Sequence, residues 1–252
     1  TIAQWCVKLF PDRSVATDAW ATPKHLDEAA LSMPAVAIAN AAREALRIGD
    51  LIEQMLNGML EVLRTNNKTV VENVQRLDDD VDKLYSAIKF YLTQISREAL
   101  DESEGRRWTE IISLTINLEQ VGDIIERIVE DVQEKKNLLN RSFSEAGTME
   151  LCDLHARLLS NLKLGLNVFI NGNVKSAQML LSEKDRFRDL ERAYAATHLD
   201  RLSGQSVQAI ETSSFLLDVI SDMKRINSHL CSIAYPILEQ AGKLDALIAQ
   251  PS

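Results

Sequence analysis

Four pairs of acidic residues recur at a spacing of four: Asp78 and Asp82, Glu119 and Asp123, Asp185 and Asp189, Asp218 and Asp222. Residues four apart on a helix are about 40° apart around its axis and one turn apart along it, so both carboxylates of a pair point the same way. Left bare, such a pair costs roughly a few tenths of a kcal/mol. A cation between the two reverses the sign. Two such helices side by side offer four carboxylates, an all-oxygen set suited to iron(III), manganese, magnesium or calcium, with zinc a further candidate. One acid pair means little in an acidic helical protein; the weight lies in four pairs at matching places of two units. Glu126, one turn beyond Asp123, faces broadly the same way and is at hand for a second ion or a bridging water. Lys184, Arg186 and Arg188 interleave with Asp185 and Asp189, so the second set has competitors of its own.

For these pairs to converge, the segments that carry them must be helices lying side by side. The chain has five prolines and none between Ala35 and Tyr235. Proline costs about 3 kcal/mol inside a helix, so this long gap favours helices joined by short turns. Apolar residues recur at helical spacing from about Ala35 to Arg64. After Asn66-Asn67 they recur through Val70, Val74, Leu77, Val81, Leu84, Ile88, Leu92 and Ile95, a nearly unbroken heptad seam. Asp101 to Gly105 breaks the pattern, and a third helix follows through Ile111, Leu118, Ile125 and Val132. Gly147 closes the unit. The order then repeats: Leu151 to Val168, a turn at Asn171-Gly172-Asn173, Val174 to Leu199, and a sixth helix from about Ser206 to Leu238. The expected fold is all-α, two tandem three-helix bundles of antiparallel helices. The expected boundaries are an N-terminal segment at 1–34, a first bundle at 35–146 and a second at 147–252. Three prolines in 1–34 predict that this segment packs loosely or extends away.

Composition narrows the function. A net charge of −9, from 37 acidic and 28 basic residues, argues against nucleic acid, whose binders carry a basic face. Cys6, Cys152 and Cys231 are far apart among aliphatic residues, as reduced core thiols would be. The four histidines form no ligand pair and read as structural or surface residues. No Glu-x-x-His pair, Gly-rich phosphate loop or nucleophile–base arrangement is recognisable, so the chain reads as a non-enzyme. Gly122 reads as a site of close helix packing, and Met33, Met55 and Met59 as core fillers. No run of about 18 apolar residues exists to span a bilayer. The chain opens on Thr1 with no start methionine and no signal peptide, as expected of a piece of a longer polypeptide.

Leu118-Glu119-Gln120-Val121-Gly122-Asp123 resembles the Leu-Glu-Arg-Ile-Gly-Asp motif of the PhoU phosphate-signalling regulators, with Gln120 in place of Arg. Leu77-Asp78 to Asp82-Lys83-Leu84 is similar to the partner motif, and Leu217-Asp218-Val219-Ile220-Ser221-Asp222 is a looser second copy. The resemblance implies two three-helix bundles whose paired motifs hold multinuclear metal clusters. Pro23-Lys24-His25-Leu26-Asp27, with Leu31, Pro34, Ala37 and Glu44, resembles the linker before PhoU-like domains of bacterial sodium/phosphate cotransporter proteins. That implies a membrane transporter half upstream in the same polypeptide, with this domain on the cytoplasmic side of the membrane modulating phosphate uptake. Association with further copies of the chain stays open.

Two rival readings stand beside this one. A carboxylate bundle for metal storage or oxidation would need the Glu-x-x-His pair. A purely structural helical adaptor would leave its acids solvated and metal-free.

Overall fold

The structure is a computed structural model describing residues 21–65, 67–95, 100–139, 143–202 and 207–242. Six long helices follow one another: α1 (Pro34–Thr65), α2 (Lys68–Thr93), α3 (Glu102–Leu139), α4 (Glu145–Asn171), α5 (Val174–Leu202) and α6 (Val207–Ser232). A short α7 (Ala234–Gln240) ends the series. Among the described residues there is no strand. The helices form two tandem three-helix bundles, α1–α3 and α4–α6, as the apolar spacing predicts.

Local chemistry sets the helix ends. The Asn67 carboxamide oxygen accepts from the Thr69 amide at 3.1 Å and starts α2. Asp101 and Glu104 cap α3 reciprocally: the Glu104 amide donates to Asp101 Oδ1 at 2.8 Å, and the Asp101 amide donates to Glu104 Oε2 at 3.0 Å. The break expected over 101–105 is therefore a helix start, with Gly105 already inside α3. Ser144 caps α4 through the Gly147 amide at 3.1 Å, so Gly147 lies in the first turn and does not end a unit. A β-carbon on Gly147 would stand 2.8 Å from Leu216 Cδ2, so the glycine lets α4 approach α6. Gly172, with φ of +60°, ends α4 in the left-handed conformation. The sixth helix, expected to run unbroken to Leu238, stops at Ser232 and resumes at Ala234. Pro236 explains this, because its ring and missing N–H are tolerated only in a first helical turn.

The core is aliphatic. Ile48, Leu51, Ile52, Met55, Leu56 and Met59 of α1 are wholly buried, and each such side chain contributes about 1.5–3 kcal/mol. Met33, by contrast, is exposed and fills no core. The α2 seam buries Val74, Leu77, Val81, Leu84, Ile88 and Leu92. The bundles pack on each other through α1 against α4 and α3 against α6. At the first contact, buried His155 of α4 places Nε2 2.9 Å from the Leu56 carbonyl oxygen of α1. One continuous set of buried side chains runs through both units.

The described part of the N-terminal segment does not pack loosely. Glu44 and Arg47 form a buried ion pair on α1. Glu44 Oε2 accepts from the backbone amides of Lys24 at 3.0 Å and His25 at 2.8 Å, while Arg47 donates to the Thr22 carbonyl at 3.0 Å. Tyr91 of α2 donates its hydroxyl to the Asp27 carbonyl at 2.7 Å, and Leu26 and Leu31 pack on the core. The prolines prevent a long helix there; the segment turns and then forms a short 3-10 helix (Glu28–Ser32), and the buried pair pins it. Trp5, Cys6 and Phe10 lie outside the described residues.

Candidate metal centre

The heptad seam of α2 turns Leu77, Val81 and Leu84 inward, and this places Asp78 and Asp82 along the edge that faces α3. On α3, buried Leu118, Val121 and Ile125 do the same for Glu119, Asp123 and Glu126. Carboxylate oxygens of Asp82, Glu119 and Asp123 lie within 4.8 Å of one another. Asp82 and Asp123 are exposed, and Glu119 is half-buried. Gln120 donates to Glu119 Oε2 at 2.9 Å. Where the resembling motif has Arg, this chain thus supplies a neutral amide, which steadies Glu119 without cancelling its charge.

Asp78 is the buried member, only 7% exposed. Burial pushes its carboxyl up to about 8, reinforced by the charges of Glu126, Asp82 and Asp123 and by a hydrogen bond with Glu126. Its Oδ1 has no hydrogen-bond partner. That oxygen lies against Gly122: a β-carbon there would stand 2.7 Å from it. The close packing read at Gly122 is therefore packing against a carboxylate.

The neighbouring acids are shifted the same way. Burial raises Asp82, helped by Glu119 and Asp79. Burial also raises Asp123, helped by Glu119 and Asp82 and opposed by Arg127. Glu126 is raised by burial and then by Glu130, while its bond to Asp78 works against the rise. Crowded carboxylates of this kind must take up protons or a cation. The donor set and the orphaned Asp78 oxygen beside it fit a hard ion. Asp82, Glu119 and Asp123 would hold it, with Asp78 behind them, and it would supply the positive charge that lets all these acids ionise together.

The second set is arranged differently. Asp185 and Asp189 are each 67% exposed at the side chain, with Arg188 against both at 3.1 and 3.7 Å. Arg186 pairs with Glu183 and Lys184 donates to Tyr235, so of the three interleaved cations only Arg188 acts on the pair. Asp222 is held by Arg127 at 2.6 Å and Arg225 at 3.2 Å, and Asp218 meets Lys135 at 3.8 Å. Arg127 and Arg225 are the residues that sequence reasoning missed; Arg127 lies on another bundle, far away in the chain. Basic side chains engage these acids, and among the described residues they form no group of carboxylates close enough to share an ion.

Other titratable groups among the described residues are engaged within the protein or buried in it. His198 lies 2.6 Å from Glu150, His229 3.1 Å from Asn117 Oδ1, and burial pushes the Cys231 thiol up to about 12. A cleft lined by Arg107, Glu110, Phe169 and Gly172 contains one cation, and Arg107 is already engaged with Glu110 and the Phe169 carbonyl, both at 2.8 Å.

The family model for the PhoU domain matches this chain twice, over residues 45–132 and 151–237. The chain belongs to the PhoU family. Crystal structures of PhoU from Pseudomonas aeruginosa and from Streptococcus pneumoniae share the fold. The first has a TM-score of 0.74 at 16% identity, covering 81% of this chain and 96% of that one. The second, a phosphate transport system regulatory protein, has 0.72 at 18%, covering 84% and 99%. Among curated proteins, YjbB of Escherichia coli K12 and of Salmonella typhimurium, named for inorganic phosphate export, are each 47% identical over 239 residues. That stretch is 95% of this chain, and the chain spans 44% of those relatives' length. The upstream transporter half expected as a partner in the same polypeptide is corrected. The family match is to PhoU domains alone, and among the described residues no helix is long and apolar enough to cross a membrane.

Proposed function

We propose that this PhoU-family chain is a non-enzymatic regulator of phosphate transport that works on the cytoplasmic side, binding manganese or iron on its first bundle. The observation that carries the metal reading is the meeting of Asp82, Glu119 and Asp123 within 4.8 Å beside the orphaned oxygen of buried Asp78. The phosphate reading is supported by family membership and by the relatives named for phosphate export, so the transport step we infer is export. The ion sets the charge of the α2–α3 edge, and that edge is the surface through which the domain signals. Storage or oxidase chemistry gains no support, since the group of acids that could hold an ion includes no histidine among the described residues.

The test replaces Asp82, Glu119 and Asp123 together by Asn, Gln and Asn in the chromosomal gene and follows phosphate efflux from phosphate-loaded cells. Efflux should change at unchanged protein abundance, and the purified variant should lose bound manganese and iron. Unchanged efflux with metal lost would remove the cluster from regulation. Metal retained in full would remove it from the site.

A further inference from the structure

Arg127 stands between carboxylates that belong to different bundles. On α3 it follows Asp123 by one turn. Across the gap to α6 its Nη2 donates to Asp222 Oδ1 at 2.6 Å. Arg225 reaches the same oxygen at 3.2 Å, so Asp222 carries two guanidinium groups. The Asp222 side chain is 19% exposed and that of Arg127 46%, so the bond is partly open to water and its strength falls as salt rises. Farther along the same seam Lys135 faces Asp218 at 3.8 Å. Asp218 and Asp222 are thus engaged by cations of the first bundle, while Asp185 and Asp189 lie against Arg188 of their own.

We propose that Arg127 is an electrostatic latch joining the bundles, coupled to cation binding at Asp82, Glu119 and Asp123; this rests on the metal reading of that cluster. The coupling follows from geometry and charge. Asp123 and Arg127 are four apart on one helix, a spacing at which the two side chains attract. A long arginine side chain therefore has two carboxylates within its range, one on each bundle. A cation on the cluster neutralises Asp123 and repels Arg127, which leaves Asp222 as the favoured partner and tightens the seam between α3 and α6. Linkage makes the effect reciprocal: a latch held shut by Asp222 keeps Arg127 from competing for Asp123 and so favours the cation. In this way the charge state of one bundle reaches the other.

The experiment titrates manganese(II) into the purified, chelator-stripped chain by calorimetry at low ionic strength, with Arg127→Met, Asp222→Asn and the double variant. Arg127→Met should bind roughly three- to tenfold more tightly, because a unit positive charge has left the neighbourhood. Asp222→Asn should bind several-fold more weakly, since Arg127 is released toward Asp123. The double variant should lie close to Arg127→Met, because Asp222 acts through Arg127. Manganese should also slow hydrogen exchange of α6 amides around Asp222 in the unaltered chain and not in Arg127→Met. Circular dichroism checks folding, and Arg127→Gln replaces any variant that has lost helix. Single effects that simply multiply in the double variant, or an Arg127→Met affinity equal to the original, overturn the latch and leave the metal reading standing. No manganese binding by the unaltered chain overturns the metal reading, and the latch with it.

Discussion

Asp78 Oδ1 lies 2.7 Å from the point where a β-carbon on Gly122 would stand. The glycine of α3 is therefore the space that the α2 carboxyl fills, and Asp78, being buried and short, has little room to withdraw. Ile52 and Met55 close the other sides at 3.6 and 3.7 Å. Gly122→Ala should push the carboxyl out of place and cost about 1–3 kcal/mol, as overpacking does. It should also reduce the rise in melting temperature on adding manganese. A thermal melt with and without metal reads both effects; an unchanged melt would mean that Asp78 moves freely.

The raised pKa of Asp78 gives the metal-free protein a pH dependence of known sign. Its carboxyl titrates near 8 in the folded chain against an ordinary 3.8. Between those values the native state binds the extra proton, so this group's contribution is full below about pH 4 and is lost as pH rises through about 8. Asp78→Asn should flatten the fall in melting temperature over that range in the presence of chelator. A slope identical to that of the unaltered chain would rule out Asp78 as its source.

His155 has the opposite sense. Burial lowers its pKa, against the opposing hydrogen bond to the Leu56 carbonyl. The unfolded chain takes up the proton first on acidification, so the stabilising effect is present above about 6.5 and is lost as pH falls below it. His155→Gln should remove that acid-side loss, as denaturant titrations at pH 5 and pH 7.5 would reveal. Because His155 bridges α4 to α1, the same variant reports on contact between the bundles.

Most of the fold can be read from the seams of Leu77, Val81, Leu84 and Ile88 and of Leu118, Val121 and Ile125, because one period governs each helix along its whole length. The acid pairs are visible for the same reason, being a local property of one helix. Their partners are not. Nothing at Asp222 announces that Arg127 will reach it, since that contact depends on how α3 lies against α6. The starts of α3 and α4 were hidden differently: Asp101 with Glu104, and Ser144 before Gly147, are capping signals placed where glycine suggested a break. Residues 21–34 misled as well, because prolines there argue against a long helix but say nothing about a buried Glu44 that collects two backbone amides.

That junction is testable. Glu44→Gln removes the carboxylate paired with the buried Arg47 guanidinium, and breaking a buried ion pair typically costs about 3–5 kcal/mol. Residues 22–25 should then become a site of early cleavage in limited proteolysis, while the core of the bundles digests slowly. Cleavage no faster than in the unaltered chain would show that Leu26 and Leu31 hold the segment by themselves.

The apolar interior does not divide where the sequence repeats. Side chains from α1 and α4 interdigitate within the same interior, with Leu166 set against Gly49 across the boundary. A duplicated sequence invites the expectation of two autonomous modules, each able to fold, melt and be expressed alone. Here either half, cut free near Ser144, would open to water the apolar faces that α1 and α4 turn toward each other. The duplication is one of pattern, and the unit of cooperative folding is the pair.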